Sequence, residues 1–359
     1  MSNYIEYKDT IAFHPGYYIK EIIEDSGLTQ EDFAKRLDTT PKNLSYLVRG
    51  EQSLSIDIAM KLSRMLGVSV SYWLNLQKTY DSLVAEFKSD EELASEKKTF
   101  EYIDYHYFRD NFGLPDLPRK VDEQIKCVRE FLNVATLNVL KDKNLAVSFR
   151  SASDDLSVSN IVNANAMVQI AINSALKINA PKYDKKKFLE AVEYALTLTT
   201  RHNEFFPLIR KAFLDAGVIF VILPNLKNSG INGATKKVGS NVMLMVNDRR
   251  AYSDTFWFTL FHEIGHIING DYGITFSHQV KGKEDAADLY AQNALIPTEE
   301  YEKFVMKGKF DEQSIRLFAN EIERDPGIVL GRLQNDGKVT FNNSELSKAL
   351  KHKYKVKVV

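Results

Sequence analysis

Residues 255–268 restrict the fold more than any other stretch, because they are strongly apolar and yet contain His262, Glu263 and His266. The apolar run ends at Asn269-Gly270, which predicts a buried helix with a glycine after its last turn. Two histidines and a glutamate in a buried helix are costly polar groups unless they bind something. Positions 262 and 266 lie one turn apart on one helix face, so their imidazoles can bind the same metal ion.

The motif His262-Glu263-Ile264-Gly265-His266 indicates metal-dependent hydrolysis, with Zn²⁺ as the expected ion and Mn²⁺ as the alternative. Glu263 follows the first ligand and can accept a proton from the attacking water, whose pKa a bound metal lowers to about 7. A chance match to this spacing in a chain with seven histidines is on the order of one in a hundred. The alternative is a pair of histidines satisfied inside a core. A strand predicted before the helix is interpreted as a substrate-binding edge strand.

A third ligand is expected on the helix predicted next in the chain, where Glu284 and Asp288 lie one turn apart. We favour Glu284 as the metal ligand and Asp288 as the carboxylate that accepts a hydrogen bond from the far nitrogen of a ligand histidine. The alternative for Glu284 is a surface acid near a helix start. The pattern does not identify the oxyanion stabiliser, for which Tyr252, Tyr272 and His278 are candidates by nearness in sequence alone.

A second motif lies near the beginning of the chain, where two short helices are predicted on either side of a tight turn, in residues 28–37 and 39–50. Thr40 is a natural N-cap and Pro41 fits the first helical position. This is a helix-turn-helix, whose second helix would enter the major groove with its N-terminus first. Gln30 is predicted to touch phosphate. The predicted contacts of the second helix are Lys42, Asn43, Tyr46 and Arg49.

Composition limits these interpretations. The formal net charge is −1, so any nucleic-acid site must be a local patch, and Glu31, Asp32 and Asp38 weaken the positive field near the motif. Helical hairpins of this kind also serve as protein-interaction modules, which is the alternative to DNA binding. A single cysteine, Cys127, excludes a disulfide framework and a cysteine-rich metal site. The start has no signal-peptide pattern and no apolar run approaches ~18 residues, which together predict a cytoplasmic protein.

Three regions are predicted along the chain: a helix-turn-helix domain in residues 1–80, a helical linker region in 81–148 and a metallopeptidase domain in 149–359. The linker region combines a charged connecting helix with a glycine- and proline-rich loop at 113–118. Strands are predicted at 218–223 and 241–246, and the polar stretch 225–239 between them is read as a loop or a loose hairpin.

Both ends of this organisation resemble known families. The first region resembles the HigA-type antitoxin branch of the Xre/Cro helix-turn-helix family, and the chain from about residue 149 resembles the ImmA/IrrE metallopeptidase family. The residues that carry the first resemblance are His14-Pro15-Gly16, Thr29-Gln30, Ser45, Arg49-Gly50, Ala59, Leu62 and Trp73-Leu74-Asn75-Leu76-Gln77 with Tyr80-Asp81. Those that carry the second include Gly233-Ala234, Asn247-Asp248, Phe258-Thr259-Leu260-Phe261-His262-Glu263, Glu284, Ala287-Asp288, Tyr290-Ala291, Leu295-Ile296-Pro297, Pro326-Gly327-Ile328-Val329 and Gly331-Arg332-Leu333-Gln334.

The resemblance implies a mostly α protein with a small β-sheet (α+β), in which a five-helix helix-turn-helix bundle precedes a zincin-like metallopeptidase domain. It implies a regulator that links operator DNA to cleavage of a repressor, often in a stress or mobile-element response, and it strengthens Glu284 as a ligand. Tyr290 stands where the family usually has Phe, a conservative departure. Because half-sites pair, a homodimer is expected.

Two functions are open from the sequence. One is an active metallo-endopeptidase that cleaves a regulatory protein, either a repressor or this chain itself. The other is a repressor or antitoxin of a toxin–antitoxin or mobile-element system, whose peptidase-like domain senses a metal or a partner. The intact Glu263 disfavours the second, because a pure metal sensor needs the histidines and not the base.

Overall fold

The structure, a computed structural model, describes residues 3–143, 145, 156–249, 252–276 and 283–354, and for residues 276 and 283–285 it describes the backbone alone. The chain divides into two compact units, Met1–Ser95 and Glu96–Val359. The predicted boundary at residue 80 falls inside a long helix, and the one at residue 148 lies outside the described residues, so the three-region division stays a prediction. No helix in the described part of the chain is long and apolar enough to cross a membrane.

The first unit opens with an antiparallel hairpin that the sequence analysis missed, since only helices were predicted there. In this hairpin Tyr4 pairs with Phe13 and Tyr7 pairs with Thr10. The five helices predicted for this unit are confirmed, and the last of them continues past residue 80 to Phe100, into the stretch that was predicted as a separate connecting helix. The elements are β1 (Tyr4–Tyr7), β2 (Thr10–Phe13), α1 (Pro15–Ser26), α2 (Gln30–Arg36), α3 (Pro41–Val48), α4 (Ile56–Leu66) and α5 (Val70–Phe100).

Local signals explain where α2 and α3 begin. The hydroxyl oxygen of Thr29 accepts a hydrogen bond from the backbone N–H of Asp32, and that of Thr40 accepts one from Asn43, each at 3.1 Å. Pro41 occupies the first turn of α3, where its missing N–H costs nothing. The apolar sides of the helices meet in one core, whose largest fully buried members include Ile19, Phe33, Leu37, Leu44, Leu62 and Trp73. The predicted helix-turn-helix is thus present.

The second unit is built of helices around one small sheet. A loop at 113–118, as predicted, follows the first of these helices. The helices are α6 (Tyr105–Phe112), α7 (Val121–Leu132), a 3₁₀ helix (Leu137–Lys141), α8 (Val158–Leu176), α9 (Lys185–Leu196), α10 (Phe205–Asp215), α11 (Ser253–Asn269), α12 (Lys283–Leu295), α13 (Thr298–Met306), α14 (Glu312–Glu321), α15 (Pro326–Asn335) and α16 (Ser344–Leu350).

The sheet of the second unit has the order β3-β5-β4-β6. Both predicted strands are confirmed, and the stretch left open as a loop or hairpin forms β4, which pairs antiparallel with β5. The interpretation of the strand before α11 as an edge strand is wrong: β5 lies inside the sheet, parallel to β3 on one side and antiparallel to β4 on the other. The strands are β3 (Val218–Leu223), β4 (Ile231–Val238), β5 (Asn241–Asn247) and β6 (Gly273–Phe276).

Helix α11 lies at the centre of this unit and contacts β4, β5, α12 and α15. Its apolar side chains Trp257, Leu260, Phe261 and Ile264 are fully buried in the main core. The predicted fold class, mostly α with a small β-sheet, is confirmed.

Candidate metal centre and nucleic-acid interface

The two histidines of α11 converge on one point. His262 Nε2 and His266 Nε2 lie 3.0 Å apart, and both side chains are buried. Two nitrogens that each bind a tetrahedral zinc ion at 2.0–2.1 Å lie about 3.3 Å from one another. The arrangement therefore fits a shared metal ion.

The outer nitrogens of the same rings face carboxylates. His262 Nδ1 lies 2.7 Å from Asp288 Oδ1, and His266 Nδ1 lies 3.5 Å from Asp271 Oδ2. A carboxylate in this position holds the proton on Nδ1, so that the lone pair of Nε2 points inward. Asp288 thus lies within hydrogen-bonding distance of His262, and its role as the supporting carboxylate stays a prediction. The sequence analysis missed Asp271, although its position directly after the glycine that ends α11 is a signal that could have found it.

Helix α12 supplies the second wall of this centre. It packs closely on α11 because Gly265, the fourth residue of the motif, has no side chain: a Cβ there would lie 3.3 Å from the Cα of Ala287 and 3.2 Å from Tyr290 Cδ1. Glu284 lies in the first turn of α12, and its side chain lies outside the described part of the structure. Its role as third ligand stays a prediction.

Glu263 is fully buried beside strand β4. A Cβ built on Gly233 would lie 2.6 Å from both Cγ and Oε1 of Glu263, which is closer than real Cβ atoms come to any neighbour. A residue with a side chain at this position would require the Glu263 side chain to move. The sequence analysis used Gly233 only as part of the family resemblance and gave it no structural role, because the close approach joins positions that only the fold brings together.

A cleft with a volume of about 1070 Å³ opens onto His262 and Asp288. Tyr252 lines this cleft, whereas Tyr272 is not among its lining residues. The ammonium of Lys237 lies 5.1 Å from the ring centre of Tyr272. Burial raises the pKa of Tyr272. The third oxyanion candidate, His278, lies outside the described residues.

The exposed face of α3 presents a cation–aromatic cluster. Lys42 Nζ lies 5.8 Å and Arg49 Cζ 5.2 Å from the ring centre of Tyr46, so both predicted cations flank the predicted aromatic contact. Arg49 also forms an ion pair with Glu51 at 3.0 Å. Asn43 is half-buried and donates to Thr39 Oγ1 at 3.2 Å. The remaining predicted contact, Gln30, is half-buried at the start of α2.

Comparison with known proteins gives one match in each unit. A helix-turn-helix family model matches residues 19–73, and a model of the IrrE N-terminal-like domain, a peptidase family, matches residues 219–324. The first range contains α2 and α3, and the second contains β4, β5, β6, α11, α12 and all but the first residue of β3.

Curated relatives match over short stretches of this chain. Virulence-associated protein I of Dichelobacter nodosus is 34% identical over 76 residues, which are 21% of this chain and 70% of that protein. The HTH-type transcriptional regulator YddM of Escherichia coli, itself uncharacterised, is 33% identical over 72 residues, 20% of this chain and 77% of its own. A third similar protein, Virulence-associated protein A' of Dichelobacter nodosus, is 38% identical over 69 residues, 19% of this chain and 60% of its own.

Proposed function

Because this chain belongs to the helix-turn-helix regulators and carries an IrrE N-terminal-like peptidase-family domain, we propose that it is a DNA-binding regulator with metallo-endopeptidase activity. It hydrolyses peptide bonds of a regulatory protein, either a repressor or this chain itself. Its partners are a double-stranded operator and that protein substrate, and it acts as a homodimer on paired half-sites.

The observation that carries the enzymatic part is the convergence of His262 Nε2 and His266 Nε2, 3.0 Å apart, next to the buried Glu263. His262, His266 and Glu284 would hold the metal, Zn²⁺ or Mn²⁺. When bound, such an ion polarises the scissile carbonyl and makes water acidic enough to attack at neutral pH. The cleft on His262 gives an extended peptide room to reach these groups.

Glu263 and Asp288 have different roles in moving and holding protons. Glu263 takes one proton from the attacking water onto its carboxylate and delivers it to the leaving amine nitrogen, so the base is regenerated when the C–N bond breaks. The lack of a side chain at Gly233 leaves room for this carboxylate beside β4. Asp288 holds the Nδ1 proton of His262 and so keeps Nε2 available.

The test measures metal content and cleavage in the same purified proteins. We expect His262→Ala and His266→Ala each to lower the metal content by about one equivalent, and Glu263→Gln to keep the metal while losing cleavage of co-expressed repressors or of the chain itself. His106→Ala, an exposed histidine outside the centre, is the matched control. The proposal fails if metal-loaded wild type cleaves neither itself nor any co-expressed repressor.

The second candidate is a repressor or antitoxin whose peptidase-like domain senses metal. The similarity to the HTH-type transcriptional regulator YddM, which extends over 72 residues, favours it. This candidate predicts operator binding that chelation alters and Glu263→Gln leaves unchanged. Operator binding that does not respond to metal would contradict it.

A further inference from the structure

A second group of metal-ligating side chains lies away from the α11 histidines. His202, Asp325 and His352 each offer one ligand atom, and these atoms all lie within 4.8 Å of one another. They come from three separate segments: the loop before α10, the N-cap of α15 and the chain after α16. No local sequence pattern connects them.

Asp325 is the buried member of the group. Its Oδ1 accepts hydrogen bonds from the backbone N–H of Gly327 at 3.0 Å and from Ser253 Oγ at 3.1 Å. Its Oδ2 is also buried and has no hydrogen-bond partner among the described residues, and its ion-pair neighbour is His202 Nε2 at 3.2 Å. A buried carboxylate oxygen needs a compensating positive charge.

The histidines are arranged to supply nitrogen ligands. His202 Nδ1 lies 2.8 Å from the hydroxyl of Tyr354, and burial raises the pKa of this tyrosine, so the phenol stays neutral. A partner on Nδ1 leaves Nε2 to face Asp325. The rings of His202 and His352 lie side by side, with centroids 3.6 Å apart and a tilt of 34° between their planes. Both imidazoles thus lie close enough to Asp325 for one divalent cation to bind all three side chains.

We propose that His202, Asp325 and His352 form a second divalent-metal site, selective for the zinc class of ions by its two imidazoles and one carboxylate. His352 is exposed, which gives an ion a path from solvent. The remaining coordination position is left to water.

The site has a structural consequence for the first metal centre. The backbone N–H of Ser253, the first residue of α11, donates to the carbonyl oxygen of His352 at 2.8 Å, and Ser253 Oγ donates to Asp325. A bound ion would therefore fasten the chain after α16 to the start of the helix that holds His262 and His266. Its effect on stability should be visible without any peptidase activity.

The experiment uses the full chain with His262→Ala and His266→Ala, which removes both histidines of the first centre. This protein is loaded with Zn²⁺, freed of excess ion, and analysed by native and elemental mass spectrometry. We expect about one equivalent to remain, and we expect His352→Ala in the same background to remove it. His352 is exposed, so its replacement leaves the core intact. His106→Ala is the control, because His106 also lies near a carboxylate, 3.3 Å from Asp104, but belongs to no three-ligand group among the residues that the structure describes.

Should the double variant not fold, the same question is answered in the wild-type background. There His352→Ala should lower the zinc content by about one equivalent and abolish part of the rise in melting temperature that Zn²⁺ produces. Zinc content that is identical with and without His352 in a folded protein overturns the proposal. Because the α11 histidines are absent in the first experiment, failure there leaves the proposed peptidase function untouched.

Discussion

The close passage of β4 over Glu263 leads to a prediction about Gly233→Ala. The added Cβ would lie 2.6 Å from Cγ and Oε1 of Glu263, about 1 Å short of the ~3.5 Å at which such atoms meet without repulsion. Glu263 is fully buried, so its side chain must shift within the protein interior to make room. We therefore expect Gly233→Ala to lower the free energy of unfolding by about 1–3 kcal/mol, the usual cost of overpacking.

A double-mutant cycle isolates this contact. The three atoms nearest to the added Cβ all belong to the side chain of Glu263, and Glu263→Ala removes every one of them. In that background Gly233→Ala should be neutral or stabilising by about 0.5–1 kcal/mol, because alanine loses less backbone entropy than glycine on folding. Urea unfolding in the presence of a chelator measures all four proteins without a contribution from bound metal.

The cycle can refute the reasoning directly. If Gly233→Ala costs the same in both backgrounds within about 0.3 kcal/mol, the two residues do not interact and the close approach has no energetic meaning. In the single variant the displaced carboxylate should also slow cleavage by about 10²-fold, with the metal content unchanged.

Three further predictions concern other parts of the molecule. Lys351→Met should lower the unfolding free energy by about 3 kcal/mol in urea titrations. The reason is that Lys351 pairs with Asp254 at 2.6 Å and both side chains are less than one-tenth exposed. A loss below about 1 kcal/mol contradicts this prediction. Burial raises the pKa of Tyr290 from its usual 10 to about 12. As the pH rises from 10 to 12, the unfolded chain loses this proton before the folded chain does, so the unfolding free energy falls. Tyr290→Phe should show a smaller fall over the same pH range. Lys42→Ala should reduce the slope of log affinity against log salt by about 0.9 for any duplex, whereas Lys61→Ala, whose ammonium is held by two aspartates, should not; equal slopes for both variants would exclude Lys42 from the interface.

The elements that could be predicted are those with local signals. Thr29, Thr40 and Pro41 mark where α2 and α3 begin, and continuous apolar runs identify β3, β5 and α11. These signals depend on residues a few positions apart, so they can be recognised in the sequence without knowledge of the fold. The spacing of His262 and His266 is of the same kind, since one helical turn fixes their distance.

What could not be predicted depends on contacts between distant segments. Strand order is set by how the sheet packs, so the apolar run of β5 gave no sign that it lies inside the sheet. Strand β4 carries glycine and two lysines, which hid its strand character. Gly233 and the group around Asp325 acquire their meaning from neighbours that are remote in sequence. Periodicity and motif spacing contain no information about such neighbours.

The strand order also has a consequence for how the second unit folds. β4 and β5 form a hairpin closed by Gly239 and Ser240, with Gly239 at a φ of +60°. Such a hairpin closes in microseconds. β3 instead pairs in parallel with β5, and β4 lies between these two strands in sequence, so their pairing closes a longer loop. β3 is also buried along most of its length, so alternation of apolar and polar residues does little to fix its register. We therefore expect the docking of β3 to limit the folding rate, while the hairpin and α11, which follow one another in sequence, assemble early.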